Sequence, residues 1–361
     1  MSTGRFAFII HPLSISDVAR KFPIARRLPD GVVKSLLRFV PALKASHIEG
    51  IRSDYGAAEG WFIGCPLTPE MMFSLPEKAV LAKITKAAQL AERLGAKIVG
   101  LGALTSVVGD AGLTVARGVN IAVTTGNSYT VATALEGVYE AAELMGIDLE
   151  TAEVAIIGGG GSIGSACAEI LARRVGHMVL VGRNLSRLEI AAQRVVHATG
   201  LAPRLATDSR AAIRDADIVV AVSSTAEAVI EPQDLKIGAV VCDVARPRDV
   251  SPAVVQQRDD VLVIEGGVVE VPGQVDFHFD FGFPPGKSYA CMAETMILAM
   301  EGRYESFSLG RELSVAKIDE ISRLAKKHGF RLAGFRSFDR ALSWQEIERV
   351  RENALRRRSL S

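Results

Sequence analysis

The chain has 361 residues, with 42 Lys and Arg against 41 Asp and Glu, 48% hydrophobic residues and four cysteines. This length fits two domains, and a formal net charge of +1 excludes whole-protein attraction to nucleic acid or an anionic membrane. Four cysteines without a CxxC pair exclude a disulfide framework, and six histidines without HxxH or HxxxH spacing give no metal-ligand pattern.

The N-terminus lacks a basic segment followed by a long apolar run, so no signal peptide is expected. The longest uncharged stretch, 118–135, is interrupted by Asn120, Thr124, Thr125, Gly126, Asn127 and Ser128 and is not a membrane span. A reducing cytoplasm is the expected setting. Residues 1–52 carry nine basic and three acidic residues, a local excess of six, and Arg356-Arg357-Arg358 is a second basic spot. Such charge reads first as a solvated face and second as a dock for an acidic partner.

In chain order, residues 5–10, 60–63, 97–101 and 119–123 read as strands. Helices are expected at 78–94, closed by Gly95, and at 128–145, closed by Gly146. Continuous β-branched runs follow at 153–157, 178–182, 218–222, 239–244 and 261–264, with helical patterns at 162–175 and 185–198. Runs of this kind suit strands buried on both faces of a parallel sheet, and the helices between them make βαβ units. A turn-rich break, Gly282-Phe283-Pro284-Pro285-Gly286, precedes helices expected at about 288–301, 313–328 and 343–356. The fold class is α/β: a Rossmann doubly wound parallel sheet, an N-terminal α/β domain and C-terminal helices. The expected division is 1–130, 131–282 and 283–361.

The run Gly158-Gly159-Gly160-Gly161-Ser162-Ile163-Gly164 leaves a strand and opens a helix. Glycines there permit the tight turn, the close approach of backbone to a pyrophosphate and the packing of helix on strand. The helix N-terminus then offers free N–H groups to phosphates. A dinucleotide is therefore expected on Gly158, Gly161, Ser162, Ile163 and Gly164, with Ser223, directly after the run at 218–222, and Gly267 completing the set.

The end of the next strand selects the nicotinamide. An NAD site places an acid there, whereas this chain has Gly182-Arg183-Asn184 with Arg187 one turn on. Arg183, Asn184 and Arg187 thus point to NADPH, because a guanidinium pairs with a 2′-phosphate. The same glycines also match a GxSxG nucleophile elbow with Ser162, for which Asp243 and His278 would be the partners in order. Four consecutive glycines and the arginine after the next strand are left unexplained by a Ser hydrolase.

Cys167 in a helix and Cys242 in a strand read as small core residues. Cys65 follows a strand and precedes Pro66, and its role is open. Cys291 lies in Lys287-Ser288-Tyr289-Ala290-Cys291-Met292-Ala293-Glu294. With Ser288 as N-cap, Cys291 falls at N3, where the helix dipole and Lys287 would acidify the thiol. From the residues alone it is either a buried helix cysteine or a low-pKa nucleophile beside a nicotinamide site.

Six stretches together resemble the long-chain fatty acyl-[acyl carrier protein] reductases that form aldehydes: Gly102-Ala103-Leu104-Thr105-Ser106, Thr124-Thr125-Gly126-Asn127, 154–165, Gly182-Arg183-Asn184, Gly266-Gly267-Val268-Val269-Glu270, and Ala290-Cys291-Met292-Ala293-Glu294. The tail Lys327-His328-Gly329-Phe330 matches as well. More distantly, the two-domain plan resembles shikimate dehydrogenases and glutamyl-tRNA reductases. The chain departs from the family at Gly159 and Gly160, where other residues are usual.

The resemblance implies that Cys291 accepts the acyl group as a catalytic nucleophile and that NADPH reduces the acyl-cysteine to an aldehyde. It implies an acyl thioester of acyl carrier protein or coenzyme A as substrate and an apolar tunnel in the N-terminal domain. Oxyanion donors are expected among backbone N–H groups near the helix start. No histidine in the motif is an obvious base, so a thiolate preformed by its surroundings is expected. Because acyl carrier proteins are acidic, the basic excess in 1–52 becomes a candidate docking face. The alternatives are an NADP-dependent shikimate- or quinate-type alcohol dehydrogenase, a Ser hydrolase and a non-catalytic NADPH-binding protein. Acyl chain length, carrier and oligomeric state are open.

Overall fold

A computed structural model describes residues 3–223, 229–245, 248–280 and 282–360. The chain opens with β1 (Gly4–Ile10), α1 (Ile15–Lys21), α2 (Asp30–Leu37), β2 (Leu43–Ser53), β3 (Gly56–Gly64), α3 (Pro69–Ser74), α4 (Glu77–Arg93), β4 (Ile98–Leu101), α5 (Leu113–Arg117) and β5 (Ala122–Thr124). From there α6 (Asn127–Leu144) leads into β6 (Glu153–Ile157), α7 (Ser162–Leu171), β7 (His177–Val181), α8 (Leu185–Thr199), β8 (Arg204–Ala206), α9 (Ser209–Ile213), β9 (Ile218–Ala221), β10 (Val240–Asp243), α10 (Pro252–Gln257) and β11 (Leu262–Glu265). The remainder includes β12 (Val268–Glu270), β13 (Gly273–Asp276), β14 (Lys287–Tyr289), α11 (Ala290–Met300), α12 (Val315–His328), three two-residue strands at Arg331–Leu332, Arg336–Ser337 and Arg340–Ala341, and α13 (Trp344–Arg358).

The architecture is α/β throughout. Contacts divide the chain into two compact units. One comprises Met1–Tyr129, Val269–Leu313 and Asp319–Arg331; the other comprises Thr130–Val268, Ser314–Ile318 and Leu332–Ser361. The segment 283–361, expected as a separate C-terminal part, is thus shared between the two.

The first unit is built on a six-stranded sheet in the order β13-β2-β3-β1-β4-β5. β3, β1, β4 and β5 run parallel, and β2 and β13 add antiparallel pairs at one edge. One face packs Ala7, Ile9, Ile63, Val99, Leu101 and Val123 against Val80, Ile84, Ala87 and Ala91 of α4. The other face carries α11, which is apolar on nearly all sides and buried along almost its whole length. Full burial of each large aliphatic side chain here contributes about 1.5–3 kcal/mol.

Helix α11 lies very close to this sheet. A Cβ on Gly4 would fall 2.0 Å from the Ala299 carbonyl oxygen, and one on Gly100 would fall 2.2 Å from Thr295 Oγ1. Its C-terminal end is tied down by Glu301, whose Oε1 lies 2.6 Å from both His328 Nε2 and Lys327 Nζ. His328 Nδ1 in turn lies 2.8 Å from Ser53 Oγ at the end of β2. The helix therefore runs from β1 toward the carboxyl ends of β4 and β5, where its N-terminus arrives.

The second unit is an all-parallel sheet in the order β11-β10-β9-β6-β7-β8, the doubly wound arrangement in which order reverses beside β6. Strands β6, β7, β9 and β10 are buried on both faces, as their continuous β-branched runs require, whereas the edge strand β8 is exposed to half-buried. Ligands of such sheets bind outside the carboxyl ends of the strands at that switch point.

Candidate functional site

In the first unit, three motif segments meet at the carboxyl ends of β4 and β5. Gly102–Ser106 follows β4, and Thr124–Tyr129 spans the end of β5 and the start of α6. Register pairs Gly100 with Thr124, so the two turns lie at one level. Ala103 sits at φ 48, a left-handed position costly for a residue with a Cβ; Thr105 Oγ1 and Ser106 Oγ brace the turn by donating to the carbonyls of Gly102 and Ala103.

The third segment is the start of α11. Gly126 is at φ +78, and a Cβ there would fall 2.4 Å from Cys291 Cα and 2.5 Å from Cys291 Cβ. Backbone cannot yield that much, so only glycine brings the β5 turn against the cysteine.

Glu294 organises this junction. Its side chain is fully buried, and burial pushes its carboxyl above the usual carboxylate range against the pull of its hydrogen bonds. Thr124 Oγ1 donates to Oε1, the Tyr129 N–H donates to Oε2 at 2.8 Å, and the Gly126 N–H also points at the carboxyl. Ser308 Oγ lies 2.8 Å from Oε1 and 2.7 Å from Ser128 Oγ. Ser308 further accepts at its carbonyl from the Thr125 N–H and hydroxyl, and its N–H donates to Thr124 Oγ1. The Thr-Thr-Gly-Asn and Ala-Cys-Met-Ala-Glu motifs are thus two halves of one network. Sequence reading placed both motifs in the family pattern but did not assign Glu294 or Ser308 a part in the site. The available signal was a glutamate inside an otherwise apolar helix.

Cys291 differs from expectation in two respects. The N-cap of α11 is Tyr289, so Cys291 stands at N2, and Ser288 lies in β14 with its hydroxyl on the Tyr289 carbonyl. The thiol is also not acidified. Burial pushes its pKa up to about 12, Glu294 adds to the rise, and the N–H groups of Met292 and Cys291 that face the sulfur offset only part of it. Sequence reading registered the helix dipole but could not register desolvation. Cys291 is nevertheless the only one of the four cysteines that is not fully buried. Cys65 and Cys167 are also held up at about 12 by burial, and Cys242 Sγ, on β10, rests 3.9 Å from the carbonyl of Ala134 in α6.

In the second unit the glycine loop has the shape expected of it. Gly158 is at φ +84 with its Cβ position 2.8 Å from the Val222 carbonyl, and a Cβ on Gly164 would fall 2.3 Å from the Gly158 carbonyl. Helix α7 begins at Ser162 after Gly161 with no side-chain cap, which leaves its first N–H groups for a ligand. This backbone cradle fits a dinucleotide pyrophosphate.

The departures at Gly159 and Gly160 have a steric reason. Cβ atoms there would lie 3.1 Å from Leu180 Cβ and 3.0 Å from Arg187 Cβ. Arg183 and Arg187 are exposed, and among the described residues neither guanidinium has a protein partner. Asn184 caps α8 by accepting the Arg187 N–H at 3.1 Å. The hydroxyl and N–H of Ser223 are engaged by the buried Asp249 at 2.5 and 2.8 Å, and Gly267 is at φ +80 in the turn between β11 and β12.

The partners needed for a GxSxG elbow are committed elsewhere. Asp243 accepts the N–H groups of Ala245 and Val250, and the His278 ring lies on the His47 carbonyl with Asp276 and Glu49 beside it. Among the described residues no group of three His, Cys, Asp or Glu could hold a metal, and no helix is long and apolar enough to cross a membrane. In the basic N-terminal stretch, Arg5 pairs with Glu59 and Lys34 with Glu70, while Arg27, Arg38, Lys44 and Arg52 are exposed. The side chains of Arg20, Lys21 and Arg26 lie outside the described residues.

Comparison with known proteins adds the following. The sequence pattern of the shikimate / quinate 5-dehydrogenase family matches residues 140–265. The aminotransferase PigE of a Serratia species is 31% identical over 361 residues, covering 95% of this chain and 41% of that protein. The chain therefore spans about two fifths of that relative's length. The long-chain acyl-[acyl-carrier-protein] reductase of Synechococcus elongatus is 32% identical over 286 residues, covering 75% of this chain and 82% of that protein. Among solved structures, L-tryptophan dehydrogenase from Nostoc punctiforme aligns with 100% of this chain and 90% of its own at 13% identity and a TM-score of 0.42.

A thiol held near 12 makes alkylation steeply dependent on hydroxide. The rate of Cys291 carboxamidomethylation by iodoacetamide should rise about tenfold per pH unit from pH 7 to 10 without levelling. A plateau near neutral pH, followed by mass spectrometry of the Cys291 peptide, would instead indicate a resting thiolate.

Proposed function

The chain belongs to the long-chain acyl-[acyl-carrier-protein] reductase family, and on that premise we propose that it reduces a long-chain fatty acyl thioester of acyl carrier protein or coenzyme A to a fatty aldehyde with NADPH. The observation that carries this reading is Cys291, the one cysteine that reaches the surface, held at the start of α11 with two N–H groups facing its sulfur.

In this reading the Cys291 sulfur attacks the acyl carbon. The bond to the carrier sulfur breaks, the Cys291 proton leaves with the carrier thiol, and an acyl-cysteine remains. NADPH, when bound at the glycine loop, supplies the two-electron reduction of that thioester to the aldehyde. Cys291 takes up a proton from solvent and returns as the thiol. The N–H groups of Met292 and Cys291 offset the negative charge that passes through the sulfur in both steps. The Gly158–Gly164 turn and the start of α7 hold the pyrophosphate, and Arg183 and Arg187 recognise the 2′-phosphate.

Carrier recognition is assigned to the N-terminal stretch. Arg27 and Arg38 are exposed there alongside the exposed apolar side chains of Ile24, Leu36 and Phe39. A face of this mixed character suits the acidic, amphipathic surface of an acyl carrier protein.

Cys291→Ala and Cys291→Ser should each lower aldehyde formation roughly 10³-fold or more. Intact mass of the wild type after addition of acyl thioester without NADPH should gain one acyl group, mapped to Cys291. Native-rate aldehyde from either variant, or an adduct confined to Cys65, removes the covalent route.

Replacing Arg183 and Arg187 together by Ala should raise the KM for NADPH about 10- to 100-fold while leaving that for NADH nearly unchanged. An equal effect on both nicotinamides would assign these side chains no part in selecting the phosphate.

Charge reversal by Arg27→Glu with Arg38→Glu should raise the KM for acyl-[acyl carrier protein] at least about tenfold more than that for the acyl-CoA of equal chain length. Equal effects on the two carriers would return this stretch to a solvated face.

A further inference from the structure

The β5–α6 turn that abuts Cys291 has one polar side chain with nothing to do. Thr124, Thr125, Ser128 and the N–H of Tyr129 are all engaged by Glu294 or Ser308. Asn127 is not: it is the first residue of α6, half-buried, and among the described residues its side-chain amide has no hydrogen-bond partner. It follows Gly126, whose missing Cβ is what lets this backbone lie against Cys291. Asn127 is therefore one Cα step, about 3.8 Å, from the residue in contact with the cysteine. The turn that holds it is locked from beneath by a fully buried carboxyl and a buried serine. The structure thus fixes the backbone of Asn127 firmly and leaves its amide unspent.

The chemistry at this position has an unfilled requirement. When a sulfur adds to an acyl thioester, the S–C bond forms and the carbonyl π pair moves onto oxygen, which then needs donors. The N–H groups of Met292 and Cys291 face the sulfur and are taken up by the charge there. A second, separate donor must meet the oxygen. A neutral amide suits that task, because it donates without forming an ion pair with the buried Glu294.

We propose that the side-chain amide of Asn127 donates to the oxyanion formed on the acyl carbon when Cys291 is acylated and again when the acyl-cysteine is reduced. This makes Asn127 a catalytic residue and rests on the acyl-cysteine reading given above.

The test separates oxyanion stabilisation from any effect on the thiol. Asn127→Ala should slow acylation of Cys291 by a long-chain acyl-CoA, followed by intact mass without NADPH, about 10²- to 10³-fold. Alkylation of Cys291 by iodoacetamide, which forms no oxyanion, should stay within about twofold of wild type, and the thermal midpoint should not shift. Asn127→Asp, which puts negative charge beside the oxyanion, should acylate more slowly than Asn127→Ala while alkylating at a similar rate. Acylation of Asn127→Ala within threefold of wild type overturns the proposal. So does alkylation that falls in step with acylation, which would make Asn127 a support for the thiol. A wild-type protein that takes up no acyl group while still reducing a substrate overturns the acyl-cysteine reading itself, and this role falls with it.

Discussion

The first unit depends on one buried carboxyl. Placing Glu294 in an apolar helix with no water contact is expensive unless its oxygens are met by donors. Four groups meet them: the hydroxyls of Thr124 and Ser308 and the N–H groups of Tyr129 and Gly126. Each comes from a segment far from Glu294 in sequence or across a turn from it. The cost of the buried acid is thereby converted into a requirement that three segments meet in one geometry. Losing the carboxyl would strand several buried donors at once, each at about 1–3 kcal/mol. Cys291 stands one turn before Glu294 on α11, and Gly126 stands two residues after Thr124, so the same requirement fixes Cys291 and the turn together.

Glycine supplies what the carboxyl cannot. Helix α11 lies so close to its sheet that the positions facing Ala299, Thr295 and Cys291 have no room for a Cβ. The hydrogen bonds that Glu294 accepts would be out of reach if the helix rode at an ordinary helix–sheet distance. Packing at the far end is held separately, through Glu301, His328 and Ser53. The helix is therefore pinned at both ends and has little freedom to slide along the strands.

How much of this was legible in the sequence varies with the physics of each element. Five strands of the second unit were readable because burial leaves unbroken β-branched runs, while the exposed edge strand β8 has no such run and was not expected; the glycine loop was readable because its backbone demands are local. Strand β2 escaped notice: its register shifts between Ile48 and Ile51, and the irregularity erases the period of two. Strand β13 is four residues at a sheet edge, too short for any period. Strand β5 was expected at 119–123 and lies at Ala122–Thr124, because its end is set by the network around Glu294 rather than by its own residues. Cys291 was found from its place in a motif, but its protonation state was not. A helix N-terminus can be inferred from a sequence, whereas the desolvation that outweighs it comes from side chains distant along the chain.

A resting thiol with a pKa about 12 spends almost none of its time as thiolate at neutral pH, which makes it a poor target for oxidants and stray electrophiles. In the reaction proposed above, the acyl thioester would bring its own proton acceptor, since the departing carrier sulfur would take up the proton that Cys291 gives up. Exchange of one thioester for another is then balanced in charge, and no permanent base is required. What the protein must supply is stabilisation that exists only while the acyl carbon is tetrahedral. Fixed dipoles are suited to that, because they are already oriented and pay no reorganisation cost when the charge develops. On the proposed reaction, a neutral thiol held by a rigid, hydrogen-bonded network is a workable design for this reason: reactivity would be withheld from the sulfur and lodged in the surrounding donors, so the site would react chiefly with substrates whose addition places a negative oxygen among them.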